Sequence, residues 1–122
     1  MARFTQAVPV LAAVDVEANT KFWVEKLGFD GGIVGDGFAI VRRDDIEIFI
    51  ASVQDQVVPD NTMTWLRVDN VEDLHAEWSR HVPADREVDG TVITAISEQP
   101  WGREFVVIDP AGNCVHLAAA GG

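Results

Sequence analysis

The feature that most constrains this chain is a repeat within it. Laid over itself at an offset of 55 residues, the sequence sets Asp15 on Asn70, Leu11 on Leu66, Val16 on Val71, Glu17 on Glu72 and Trp23 on Trp78. Asp15 and Asn70 both suit the start of a helix, because their short side chains accept from N–H groups that the first turn leaves free. After Asp15, the residues Val16, Thr20, Trp23 and Leu27 fall on one stripe of a helix that Gly28 stops; after Asn70, Val71, His75, Trp78 and Val82 repeat the spacing. Strand-like runs follow in the same order, over 7–13, 29–34, 38–43 and 46–51 in the first half and over 62–68, 92–96, 104–108 and 114–119 in the second. A polar loop spans 52–61, another spans 83–90, and Asp109-Pro110-Ala111-Gly112-Asn113 is a strong turn signal. One helix with three or four short strands leaves an open sheet face and cannot close a core alone. The expected architecture is therefore α+β: two βαβββ modules, about 1–53 and 61–120, in a single domain 1–122.

Charge narrows the partners. Nine Lys and Arg against 20 Asp and Glu give a net charge of −11, which disfavours nucleic acid and anionic membrane surfaces and favours cations. One cysteine, Cys114, allows neither an internal disulfide nor a thiolate zinc cluster. No apolar run approaches the roughly 20 residues of a membrane span, and the segment from Met1 to Pro9 lacks a signal-peptide core, so a reduced, cytoplasmic setting is expected.

Several runs go beyond what turns and periodicity require. They are Ala7-Val8-Pro9-Val10-Leu11, Phe22-Trp23, Leu27-Gly28-Phe29, Phe49-Ile50, the loop from Val53 to Thr62, Gln99-Pro100-Trp101-Gly102-Arg103-Glu104-Phe105, and the stretch from Asp109 to His116. On these residues the whole chain resembles the glyoxalase/vicinal-oxygen-chelate superfamily, and within it the bleomycin resistance proteins of antibiotic producers and resistance elements. The resemblance implies a homodimer that exchanges N-terminal strands with Pro9 at the hinge. It also implies drug grooves at the subunit interface and resistance by stoichiometric sequestration without turnover.

Enzymes of that superfamily hold a divalent metal with His, Gln and Glu side chains, around an open coordination position. The resemblance carries those positions onto Val8, Met63 and His116, and Val8 and Met63 are not credible ligands for such an ion. No metal and no cofactor of the protein's own is expected, although a bound drug carries its own Cu or Fe. His75 and His81 read as structural, and Cys114 has no helix end or basic neighbour in sequence to activate it. Neither a nucleophile motif nor a phosphate-binding glycine fingerprint is present.

Bleomycin-type glycopeptides are cationic and carry planar bithiazole rings, so a groove for them needs aromatic faces and carboxylates. Phe38 and Trp101 are the expected faces, one from each subunit, with Trp101 in a loop that gives it no obvious core duty. Trp65 reads either as groove or as core of a central strand, whereas Trp23 and Trp78 read as core. Asp60 and Asn61 match the family's polar contacts or else shape a turn; Ser52 and Gly112 are expected lining residues. Arg103 is expected to pair with a carboxylate. Ile33 and Ala51 stand where relatives often carry an aromatic residue and a serine, which is expected to shift preference among congeners. Two alternatives remain open on sequence: a metal-dependent enzyme of the superfamily acting on an antibiotic, and a binding protein for another cationic aromatic metabolite.

Overall fold

A computed structural model describes residues 1–120, and Gly121 and Gly122 at the end of the expected domain lie outside the described residues. The first half runs β1 (Val10–Ala13), α1 (Val16–Glu25), β2 (Asp30–Gly35), β3 (Phe38–Arg43) and β4 (Ile46–Ser52). The second runs α2 (Val57–Asp60), β5 (Met63–Val68), α3 (Val71–Trp78), β6 (Val92–Ile93), β7 (Ser97–Gln99), β8 (Gly102–Ile108) and β9 (Cys114–Ala119). Each half makes its own sheet, in the orders β1-β4-β3-β2 and β5-β9-β8-β6, with β7 also paired to β8. The repeat is carried into the register. β1 lies parallel to β4 with Leu11 opposite Ile50, and β5 lies parallel to β9 with Leu66 opposite Leu117.

The helix caps form as the side chains dictate. Asp15 accepts from the Ala18 N–H at 3.0 Å and Asn70 from the Asp73 N–H at 3.0 Å. Val16, Thr20, Trp23 and Leu27 are buried, as are Val71, Trp78 and Val82. His75 is half-buried and within 2.8 Å of the Thr94 carbonyl, a structural role.

Four local expectations need correction. The first strand begins at Val10 rather than residue 7, and residues 1–9 run outside any regular element with Phe4 fully exposed. The 52–61 loop contains the turn of helix α2, because Asn61 and Thr62 donate side-chain hydrogen bonds to the carbonyls of Val57 and Val58. The second helix ends at Trp78, and the chain reaches Val82 by turns. The strand expected over 92–96 stops at Ile93, and a separate strand, β7, pairs with β8 as a hairpin.

The halves are joined by hydrogen bonds that cross between them. Trp23 Nε1 of α1 donates to Asp109 Oδ2 at 3.1 Å, and Trp78 Nε1 of α3 donates to the Leu27 carbonyl at 3.1 Å. Asn113 grips the Ala12 backbone through both donor and acceptor, and Arg43 forks onto Glu77 with bonds of 2.8 and 2.7 Å. Buried polar groups are tolerated only when paired, so these bonds fix how one sheet meets the other. Among the described residues no helix is long and apolar enough to cross a membrane.

Candidate functional site

Alternation along the strands gives each sheet a core face and an open face. On the first sheet, Ala39, Val41, Ile48 and Ile50 point into the core, which leaves Phe38, Ile40, Phe49 and Ala51 on the other side. There Phe38 and Phe49 pack edge to face with ring centroids 5.2 Å apart. Gly37 precedes Phe38 at φ +65°, and a Cβ there would fall 2.7 Å from the Ser52 Cβ, so the turn holds Ser52 close. Ser52 is exposed beside it, and its N–H donates to the Gly37 carbonyl at 2.7 Å.

The second sheet presents Met63, Trp65, Glu104, Val106, Cys114 and His116 on its open face, by the same alternation. Trp65 stacks on His116 with centroids 4.0 Å apart and planes 15° apart. Trp101 stands at the tip of the β7–β8 hairpin, its ring 6.4 Å from that of Trp65 and nearly perpendicular to it at 87°. Both indoles are partly exposed, Trp65 at 44% and Trp101 at 46%. Trp65 therefore belongs to the open face, and β5 is an edge strand rather than a central one.

Behind these rings lies a group that the sequence pattern did not single out. Glu104 is 4% exposed, and its Oε1 accepts from Trp101 Nε1 at 2.6 Å and from Trp65 Nε1 at 3.2 Å. Its Oε2 lies 3.0 Å from His116 Nδ1. Burial pushes the Glu104 carboxyl up, and the hydrogen bonds from Trp101, His116 and Trp65 outweigh it, so the group lies below its ordinary range. The available signal was the strand alternation, which sets Glu104 on the face opposite the buried Phe105.

Asp60, Asn61 and Gly112 lie together with Gln56 beside the last turn. Gln56 donates to Asp60 Oδ1 at 2.8 Å and to the Ala111 carbonyl at 2.6 Å, and Asn61 donates to the Val57 carbonyl at 2.8 Å. Both Asp60 and Asn61 thus shape the turn while remaining exposed. Arg103 pairs with Glu72 and, at 3.0 Å, with Glu98, as its chemistry suggested.

The superfamily's metal positions do not suit a hard divalent ion here. Val8 offers no donor and Met63 only a soft thioether, so His116 is the one nitrogen donor among the three. Among the described residues no three His, Cys, Asp or Glu side chains gather as a metal site. Cys114 lies 3.5 Å from His116 Nε2, and burial, with the nearby Glu104 charge, pushes its thiol up, away from a reactive thiolate. A cleft of about 430 Å³ between the halves is lined by Arg43, Glu77 and Trp78, and none of Phe38, Trp65 or Trp101 faces it.

The family model for the Glyoxalase/Bleomycin resistance protein/Dioxygenase superfamily matches residues 5–117. The chain belongs to that superfamily. It is similar to a bleomycin-binding protein from bleomycin-producing Streptomyces verticillus, crystallised with copper(II)-bleomycin, at 48% identity and a TM-score of 0.93, over 99% of this chain and 100% of that one. It shares the superfamily fold with the bleomycin resistance determinant of transposon Tn5, at 23% identity and a TM-score of 0.80, over 95% of this chain and 98% of that one. A bleomycin-binding protein complexed with bleomycin has the same fold at 22% identity and a TM-score of 0.82, over 97% and 100% of the two chains. No curated protein sequence matched the chain.

Proposed function

We propose that this chain protects its host by capturing bleomycin-type glycopeptides stoichiometrically, without turning them over. The observation that carries the reading is 48% identity, along 99% of the chain, to a relative crystallised with copper(II)-bleomycin. The chemistry of the open faces supports it, since a cationic ligand with planar rings suits aromatic surfaces on a chain of net charge −11.

The binding unit in this reading is a homodimer that exchanges the segment before Pro9. Residues 1–7 are exposed, and the open faces leave Val10, Met63, Trp65 and Trp101 uncovered, which a second copy would shield. Phe38 of one subunit and Trp101 of the other then sandwich the bithiazole, with Trp65, Ser52, Asp60, Asn61 and Gly112 around it. The protein brings no metal or cofactor of its own, the drug arriving metal-free or with its own Cu or Fe, and capture takes place in the cytoplasm. Sequestration demands a Kd of roughly 100 nM or lower, about −9.5 kcal/mol.

The test is calorimetric titration of the full chain with metal-free and Cu²⁺-loaded bleomycin, followed by recovery of the drug. The expected result is tight binding at one drug per chain with the drug chemically intact. Trp101→Ala is expected to cost about 2 kcal/mol, or ~30-fold in Kd. Absent binding overturns the reading, and a modified drug turns it into catalysis.

A further inference from the structure

We infer that Glu104 positions the aromatic wall of the second sheet and tunes that wall toward cationic planar ligands. The inference deepens the capture reading given above and rests on it for the location of the groove. Glu104 shapes no turn and caps no helix; its two carboxylate oxygens face three ring nitrogens, those of Trp65, Trp101 and His116. One oxygen, Oε1, takes both indoles, and the two rings stand at 87° to one another. The other oxygen holds His116, on which Trp65 stacks at 4.0 Å. A single buried side chain therefore sets the orientation of all three rings, including Trp101 at an otherwise exposed hairpin tip. Binding surfaces ordered in advance lose less rotamer freedom when a ligand arrives.

The register of the two sheets gives a second, independent argument. Phe38 sits opposite Ala51 on β4, and Glu104 sits opposite Ala118 on β9. Phe49 sits opposite Val10 on β1, and His116 sits opposite Trp65 on β5. Glu104 and His116 thus occupy the places that Phe38 and Phe49 hold in the other half. The duplicated position is an aromatic pair in one sheet and a carboxylate–imidazole pair in the other. A core requirement would favour the same apolar solution in both, whereas a groove with one stacking wall and one charge-tuned wall calls for this divergence.

Among the described residues the Glu104 carboxylate pairs with no arginine; it faces the two indole N–H groups and the His116 imidazole. Arg67 donates to the carbonyls of Trp101 at 3.1 Å and Ala119 at 2.7 Å, while Arg103 pairs with Glu72 and Glu98, so neither guanidinium is spent on Glu104. An indole whose N–H points at a carboxylate gains electron density on its faces, and those faces attract cations more strongly.

Glu104→Gln tests both parts in the full-length protein, because it keeps the side chain's size while removing the charge. The probes are metal-free bleomycin and an uncharged bithiazole, with the indole N–H resonances of the unliganded protein read by NMR. Expected are shifts of the Trp65 and Trp101 indole resonances with those of Trp23 and Trp78 unmoved, the latter confirming that the fold is retained. Affinity for bleomycin is expected to fall about tenfold, and affinity for the uncharged bithiazole less than about threefold. Glu104→Asp, charged but shorter, should keep more of the cation preference than Glu104→Gln does. Equal losses for both probes overturn the tuning, and unmoved Trp65 and Trp101 resonances overturn the positioning. A wild-type chain that binds neither probe overturns the capture reading and the tuning with it, and the indole resonances then decide the positioning role alone.

Discussion

Arg43 reaches both halves of the molecule at once. From β3 it donates to the Leu27 carbonyl at 2.7 Å and forks onto Glu77 of α3. The hydrogen bond from Arg43 and its positive charge hold the Glu77 carboxyl below its ordinary range, against the upward push of burial. A carboxyl whose pKa is lowered by folding stabilises the fold above its unfolded value, and that contribution is lost as pH falls through the folded one. The urea midpoint of the wild type is therefore expected to drop on acidification between about pH 5 and 3, and Glu77→Gln to flatten that fall. An acid limb unchanged by the substitution would place the sensitivity elsewhere. Since Glu77 is partly exposed, solvent screening limits the size of the effect.

At the scale of elements, the site rests on turns whose geometry excludes a side chain. Gly112 has φ +110°, and a Cβ built on it would lie 2.6 Å from Asp60 Oδ1. Gly112→Ala is therefore expected to cost about 1–3 kcal/mol, read as a lower urea midpoint, and to push Asp60 away from Gln56. A variant as stable as wild type would show that the turn has room to yield. This dependence explains what the sequence made legible. The caps at Asp15 and Asn70, the strands over 38–43 and 114–119 and the turn from Asp109 to Asn113 follow from local chemistry, and the structure places them where that chemistry requires. Helix α2 is held by local bonds from Asn61 and Thr62 and is hidden by its single turn within a polar, proline-containing run, whereas the β6–β7 break depends on pairing with β8, which periodicity within a window does not reveal. Glu104 was hidden for a related reason. The offset of 55 residues holds only through the two helices, and the longer connection after α3 moves β8 out of step with β3, so an overlay of the sequence never sets Glu104 on Phe38.

For the whole molecule, net charge governs how a ligand arrives. At −11 per chain, the association rate with cationic bleomycin is expected to fall steeply with added salt while the dissociation rate changes little, as stopped-flow fluorescence would record. A salt-independent association rate would assign capture to shape alone. The crossed tryptophans say something about descent. Trp23 is anchored on Asp109 in the far half, and Trp78 on Leu27 in the near one. Either half on its own would retain an indole N–H whose acceptor had gone, so loss of one copy is a dead end and the duplication works as a ratchet. Among the described residues the open faces carry no such cross-ties, which leaves them free to change their rings and charges as new molecules are met, while the joint behind them stays locked.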